Sequence, residues 1–478
     1  TGLEKDIRNR DRATPTYMGC YEPFDLDASL ANAMPISGIS NQSIPLKVVV
    51  MNCGKDTLKT AGINWSFRGV TQTAVSWSGN LAMGEIDTFT VSNITLTPAY
   101  TNEVKIWISA PNASTDENPT NDTILFNIYG CDSMSGVYTV GNASADFATV
   151  EDAKFALMEC TMKGAVELQF VNGTYGSLFF DENIPGSSAT NTLTITSAAQ
   201  HADSVVFTGT TSAPSLTLES INNIYFKAVT FDATSGINGI EFKKSNSNVL
   251  FYGCNILANP TTTSAAYSGV RYVQADTATT YLSDVRFIKN KISGGYYNIN
   301  LIYPGGNDTT TMKNSSITID SNELSDAYYC GIRCYYYAYH PSVSYNSITS
   351  RATSATYFAM EYYYYTTIDT MVSNKIRITS TGTTFGIGYT ENQNTIGSKG
   401  AMFVANNEII INGGSSYNYG ILAYEDTYTS QWNFYNNSIY IASNAGTAYG
   451  IYWLPSPQLG YASNFKNNHV HLNTGGVA

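Results

Sequence analysis

An all-β fold, a right-handed three-faced parallel β-helix with an N-terminal antiparallel β-sandwich and a short capping helix, is predicted by three features of this 478-residue sequence. The first is a phrase: an apolar residue, two free positions, Asn, one free position, then Ile, Leu or Val. It occurs at Asn290, Asn322, Asn346, Asn374, Asn407, Asn437 and Asn468, at spacings of 32, 24, 28, 33, 30 and 31 residues. A self-similar period of this size marks stacked supersecondary units. The period-two alternation around each Asn reads as strand, tight turn, strand. Asn suits a left-handed bend, and its amide is able to bond the amide one rung away.

The second feature interleaves with the first. A small residue followed by an apolar one opens a strand at Gly239-Ile240, Gly269-Val270, Asn298-Ile299, Gly331-Ile332, Ala359-Met360, Gly386-Ile387, Gly420-Ile421 and Gly450-Ile451. Each coil of about 30 residues therefore holds three strands, hence three faces. Val229 and Cys254 fill the Asn slot in the two preceding coils, so the Asn stack should begin at Asn290. The third feature is a change of pattern over residues 37–130. Alternating runs at Ile44–Val50, Ile63–Phe67, Thr88–Ile94, Val104–Ile108 and Ile124–Ile128 are separated by turn clusters, the spacing of an antiparallel sandwich.

Residues 1–36 show no periodicity and read as a linker or as the tail of a preceding β-helix. The stretches Asp6–Arg12 and Met18–Glu22 resemble the tail that closes β-helices in bacterial surface proteins, with Cys20 where such tails carry Ala. Within 37–130, Leu46-Lys-Val-Val-Val-Met-Asn-Cys-Gly54 and the acidic turn Asp116–Asp122 resemble the immunoglobulin-like CARDB modules of bacterial surface proteins. Asp116, Glu117, Asn121 and Asp122 offer the clustered oxygens a hard cation needs, but a solvated turn is the reading preferred, and no metal is assigned. Residues 131–478 are assigned to the β-helix. Thr149 and Asp152 have capping-box spacing, and Val150, Ala153, Leu157 and Met158 share one helical face that suits a lid on the first coil. Val166–Tyr175 and Ala189–Ile195 resemble the opening coils of the pectate-lyase-like family, especially the β-helix domains of secreted and surface proteins from Bacteroidetes. That resemblance implies the fold and leaves the activity open.

Composition narrows the partners. A net charge of −12 with 13% charged residues gives no basic stripe for nucleic acid or an anionic membrane. No stretch of 18 apolar residues is long enough to span a bilayer. The chain starts at Thr1 and stops shortly after the last Asn phrase, so it is expected to be part of a longer multidomain chain, secreted or at a bacterial cell surface. The seven Cys form no CxxC and no Cys/His cluster, which leaves zinc without ligands. Cys330 and Cys334 fall on the inward side with Ile332. Cys53 and Cys131 are placed to bridge the edges of one small domain, but spacing alone does not pair them. No phosphate-binding loop or nucleophile elbow is present, and no cofactor is expected.

Strand alternation then assigns faces. With Ile inward, the next residue and the one two further on point out. Glu241, Arg271, Asn300, Arg333 and Glu361 should form one outward column, with Tyr335, Tyr363 and Tyr424 in the column beside it. Tyrosine rings and arginine forks suit the faces and carboxylates of sugars, so these eight residues are the candidate binding surface for a polysaccharide or cell-surface glycan. The other reading is a ladder whose members satisfy one another. A polysaccharide lyase or glycoside hydrolase of the β-helix class is the alternative function. Candidate carboxylate pairs are Glu361 with Asp369, Glu391 with Glu425, and Glu425 with Asp426, but no spacing selects one. His469 and His471 alternate on one strand without a third metal ligand.

Overall fold

A computed structural model describes residues 5, 23–34, 37–39, 43–96, 101–131, 133–274, 280–303, 315–336, 338–351, 356–364, 366–391, 401–414, 416–425, 431–443, 446–454 and 463–474. The tail-like stretches within 6–22 lie outside these residues. Two compact units partition the chain: 1–134 with 154–160, and 135–153 with 161–478.

In the first unit, all five alternating runs are strands: Ser43–Asn52, Leu58–Phe67, Ile86–Thr95, Thr101–Ser109 and Thr123–Cys131. The segment assigned as aperiodic linker contains a further strand, Ala28–Met34, which pairs antiparallel with Ser43–Asn52. Its Asn32 interrupts the alternation at a register shift, and this hides the strand from a period-two reading. A three-stranded and a six-stranded sheet enclose a core that includes Leu46, Val48, Ile63, Trp65, Trp77, Val104 and Ile106. Cys53 is free, so the Cys53–Cys131 bridge is not formed; Cys160 is disulfide-bonded.

The second unit is a parallel β-solenoid of about 10 turns. Its three sheets contain 12, 11 and 10 strands among the described residues, and each strand pairs with its counterpart one coil later. They are named here by their place in the coil: the Gly-Ile sheet (for example Cys330–Tyr335), the pre-turn sheet (Tyr339–Ser344) and the post-turn sheet (Ser347–Ser350). The Ile of each Gly-Ile strand points inward and stacks in register, as in Ile240, Val270, Ile299, Ile332, Met360, Ile387 and Ile421, all fully buried. The small residue before it is required by close approach. A Cβ on Gly386 would lie 2.4 Å from the Gly420 carbonyl oxygen and 2.7 Å from Ile409 Cγ2.

The Asn ladder runs without a break from Asn290 to Asn468. Each Nδ2 donates to the Oδ1 of the next Asn at 2.9–3.1 Å. Its second proton goes to a pre-turn carbonyl one coil back, such as Phe287 O for Asn322 and Val343 O for Asn374. Each Oδ1 also accepts the backbone N–H of the Asn before it. At the first rung the donor is Cys254 N, so the ladder starts at Asn290 as the sequence predicts. The bend itself differs from the expectation. The left-handed residue is the one before each Asn (Lys289, Ser321, Tyr345, Ser373, Asn406, Asn436 and Asn467, φ 53 to 61°), not the ladder Asn. The ladder Asn supplies side-chain bonding while its neighbour turns the chain.

The helix forms at Val150–Glu159 with the expected box: Thr149 Oγ1 donates to Asp152 Oδ2 at 2.8 Å, and Asp152 N donates back to Thr149 Oγ1 at 3.1 Å. Its buried stripe is Ala153, Ala156 and Leu157, with Cys160 following, whereas Val150 and Met158 stay half-exposed. Cys254, Cys330 and Cys334 are free and buried in the solenoid. Burial pushes the Cys254 thiol up to about 12, which leaves it inert at neutral pH.

Candidate functional site

The outward register of the Gly-Ile sheet follows the alternation rule through every coil. Glu241 opposes Arg271, Arg271 opposes Asn300, Asn300 opposes Arg333, and Arg333 opposes Glu361. Tyr335 opposes Tyr363, Tyr363 opposes Thr390, and Thr390 opposes Tyr424. All eight predicted residues thus lie on one face. Their exposure is less uniform than the pattern implied: Asn300 is 1% exposed and Glu361 7%. Asn300 lies between Arg271 and Arg333, and Glu361 is held by Arg333 and Tyr335, contacts that alternation does not report.

The column's charges are satisfied within it. Arg333 Nε meets Glu361 Oε2 at 3.1 Å, and Tyr335 OH donates to Glu361 Oε1 at 2.9 Å. Arg333 Nη1 donates to Tyr297 OH at 2.9 Å, and its guanidinium lies 4.0 Å from the Tyr335 ring centroid. Burial raises the Glu361 carboxyl above its ordinary range, against the opposing pull of Arg333 and Tyr335. Burial likewise pushes Tyr297 up to about 12. Glu241 and Arg271 form a looser pair at 3.6 Å. Glu241 and Glu361 are four rungs apart, roughly 19 Å at the inter-strand spacing, beyond the ~5–10 Å of a glycosidase pair. Asp369 lies on the pre-turn sheet, where it accepts from Tyr339 OH at 2.6 Å. The side chains of Glu391 and Glu425, and all of Asp426, lie outside the described residues.

A second ladder runs beside the first, and none of its rings is among the eight predicted residues. Phe358 stacks on Phe385 at 4.1 Å, Phe385 on Tyr419 at 5.0 Å and Tyr419 on Tyr449 at 5.1 Å, with interplanar angles of 4 to 14°. Tyr296 stacks on Tyr329 at 5.1 Å, and Tyr329 reaches Phe358 at 5.4 Å, so the row crosses six coils. All six are half-buried. The signal is present in the sequence as aromatic–small–apolar: Phe358-Ala-Met, Phe385-Gly-Ile, Tyr419-Gly-Ile and Tyr449-Gly-Ile. Tyr452 adds an edge-on contact to Tyr449 at 5.1 Å, and Gly388 leaves a dip between Glu361 and Leu422. Tyr362, next to the predicted Tyr363, does not join this face and is fully buried in the solenoid core.

In the first unit, the acidic turn closes on a carboxylate the sequence did not associate with it. Asn121 Nδ2 donates to Asp27 Oδ1 at 2.9 Å, and Asn118 Nδ2 to Asp27 Oδ2 at 3.2 Å. Burial, then the charges of Asp116 and Asp27, push the Asp122 carboxyl up to about 6. Among the described residues no group of three or more His, Cys, Asp or Glu is arranged to hold a metal ion. Because the folded value exceeds the unfolded one of 3.8, the native state binds this proton more tightly. Its stabilising effect is full below about pH 4 and is lost as pH rises through 6. Asp122→Asn should therefore stabilise this unit at pH 7 by about 1 kcal/mol, with the gain gone near pH 4. Urea melts at both pH values check this; an equal gain at both would refute it.

The fold defines the class of molecule: an all-β chain with an antiparallel sheet region followed by a parallel β-solenoid. No family model matches the chain, and no curated protein matches it. Among solved structures, the CARDB domain of a Pyrococcus furiosus protein in complex with di-metal ions is 19% identical, with a TM-score of 0.20. That match covers 23% of this chain and 96% of that one. The catalytic domain of a glycoside hydrolase family 87 α-1,3-glucanase in complex with nigerose is 9% identical, with a TM-score of 0.25. It covers 93% of this chain and 99% of that one. Likenesses at these scores leave what those proteins bind with those proteins.

Proposed function

We propose that the outer face of the Gly-Ile sheet binds polysaccharide, and that the chain is a segment of a secreted or cell-surface adhesive protein of bacteria. The observation that supports this reading is the six-coil aromatic row running beside the Arg333–Glu361 pair. Its rings repeat at about the rung spacing of 4.8 Å, close to the length of one sugar residue in an extended chain, so successive rungs meet successive sugars. The stacked rings offer apolar edges and, at the tyrosines, polar tips, and the paired Arg333 and Glu361 add oriented polar groups beside the row's second and third coils.

A glycan array and affinity electrophoresis of the wild type, Tyr335→Ala/Tyr363→Ala and Tyr419→Ala/Tyr449→Ala test the reading. Stacking on two rings contributes on the order of 1–3 kcal/mol, so the second double variant should lose about tenfold or more in affinity. Absence of any bound glycan in the wild type, or binding unchanged by both double variants, sinks it. Release of reducing or unsaturated ends from a bound polysaccharide would instead favour an enzyme.

A further inference from the structure

A separate cleft of about 770 Å³ lies at the Asn-turn corner of the early coils, and no residue of the Gly-Ile sheet lines it. Its shape follows from the turn chemistry. The residue before the Asn slot takes the left-handed conformation in each coil, and in the two coils ahead of the ladder it is Ala228 (φ 48°) and Gly253 (φ 64°). A Cβ on Gly253 would meet nothing within 4 Å. Two small residues on successive turns leave the corner hollow. His201 and Asp203, at the short 3-10 turn Ala202–Ser204, line it from an earlier coil, and Lys289 and Lys291, flanking Asn290, from a later one.

The lining reverses the sign of the chain. Lys227, Lys289 and Lys291 all contribute to it, and none forms an ion pair among the described residues. Lys289 Nζ donates to Tyr252 OH at 3.2 Å and lies 5.4 Å from the ring centroid, while Lys227 lies 6.0 Å from the Tyr225 ring. Of the two carboxylates in the lining, Asp203 accepts from Asn255 Nδ2 at 2.7 Å and meets His201 at 3.7 Å. The other, Glu323, sits one rung after Lys291. Tyr252 is 40% exposed, which leaves part of its ring open.

We propose that this cleft binds a tetrahedral oxyanion, a sulfate or phosphate ester, carried on a sugar-sized ligand that rests against Tyr252. Ammonium groups act as point charges with rotatable donors and suit a three-oxygen anion, whereas a planar carboxylate is better matched by an arginine fork. The volume falls within the range of small-ligand sites. The inference stands apart from the glycan reading of the Gly-Ile face, since the two surfaces share no residue.

The test is affinity electrophoresis of the full chain in gels containing sulfated, phosphorylated or unmodified dextran. A chain of net charge −12 is repelled overall by an anionic polymer, so retardation requires a local cationic site. Retardation by at least one ester, little by unmodified dextran, and a loss of about tenfold or more in Lys227→Gln/Lys289→Gln/Lys291→Gln are expected. The stronger of the two polymers identifies the ester. Retardation by neither ester, equal retardation by unmodified dextran, or an unaffected triple variant each overturns the proposal. Tyr419→Ala/Tyr449→Ala should leave this retardation intact, so the two sites succeed or fail separately.

Discussion

Truncating one central rung of the Asn ladder, Asn374→Ala, should cost the solenoid about 3–5 kcal/mol. The side chain takes part in four hydrogen bonds. Its Oδ1 accepts from Asn346 N at 3.0 Å and Asn346 Nδ2 at 3.1 Å; its Nδ2 donates to Val343 O at 2.9 Å and Asn407 Oδ1 at 3.0 Å. Alanine therefore orphans two donors on Asn346 and the Val343 carbonyl, in a site where Asn346 and Asn374 are fully buried. Each buried unsatisfied group costs roughly 1–3 kcal/mol, and water admitted to the hole recovers part of it. Asn468→Ala removes three such bonds at the part-buried last rung, where water replaces them, and should cost only about 1 kcal/mol. Denaturant unfolding of the two variants compares them directly. If the central substitution were as mild as the terminal one, the ladder would not be the element that holds the coils in register.

The second large effect is expected at Arg333. Replacing it with Met leaves Glu361, whose side chain is only 10% exposed, with Tyr335 as its remaining partner. Breaking a buried pair by removing one member costs about 3–5 kcal/mol, and residual solvent access lowers that to about 2–4 here. Burial already holds the Glu361 carboxyl above its ordinary value, with Arg333 opposing. Without Arg333 the shift grows, so the folded state takes up a proton more readily than the unfolded one. The deficit should be largest at pH 7 and shrink as pH falls toward the carboxylate range. Arg333→Met/Glu361→Leu should regain most of the lost stability, because no charge is then left buried. A deficit independent of pH, or a double variant no better than the single, would show that Arg333 acts through packing instead.

These two sites differ in how they were legible. The Asn ladder was readable because a one-per-coil polar residue in an apolar setting must be satisfied by its own copies, and the period names those copies. The outward column was readable because strand geometry alternates strictly, so one inward Ile assigns every neighbour. The same logic found five strands of the first unit and missed Ala28–Met34, where a register shift at Asn32 breaks the alternation. It also misplaced the left-handed residue by one, since backbone conformation at a turn depends on which residue the side-chain bonds leave free to bend.

What the sequence determined by itself is the coil: three strands, a buried Ile, a required small residue and an Asn amide, each demanded by local chemistry repeated at a period. What the tertiary structure decided is what the surface does with that coil. Whether Glu361 is open or covered, which tyrosines stack and which turn inward, and that Ala228 and Gly253 hollow the corner between lysines are all set across rungs. Such contacts join residues some 25 to 35 positions apart, where side-chain size on one coil sets exposure on the next. A pattern along the chain encodes direction, but only the stacked coils set distance.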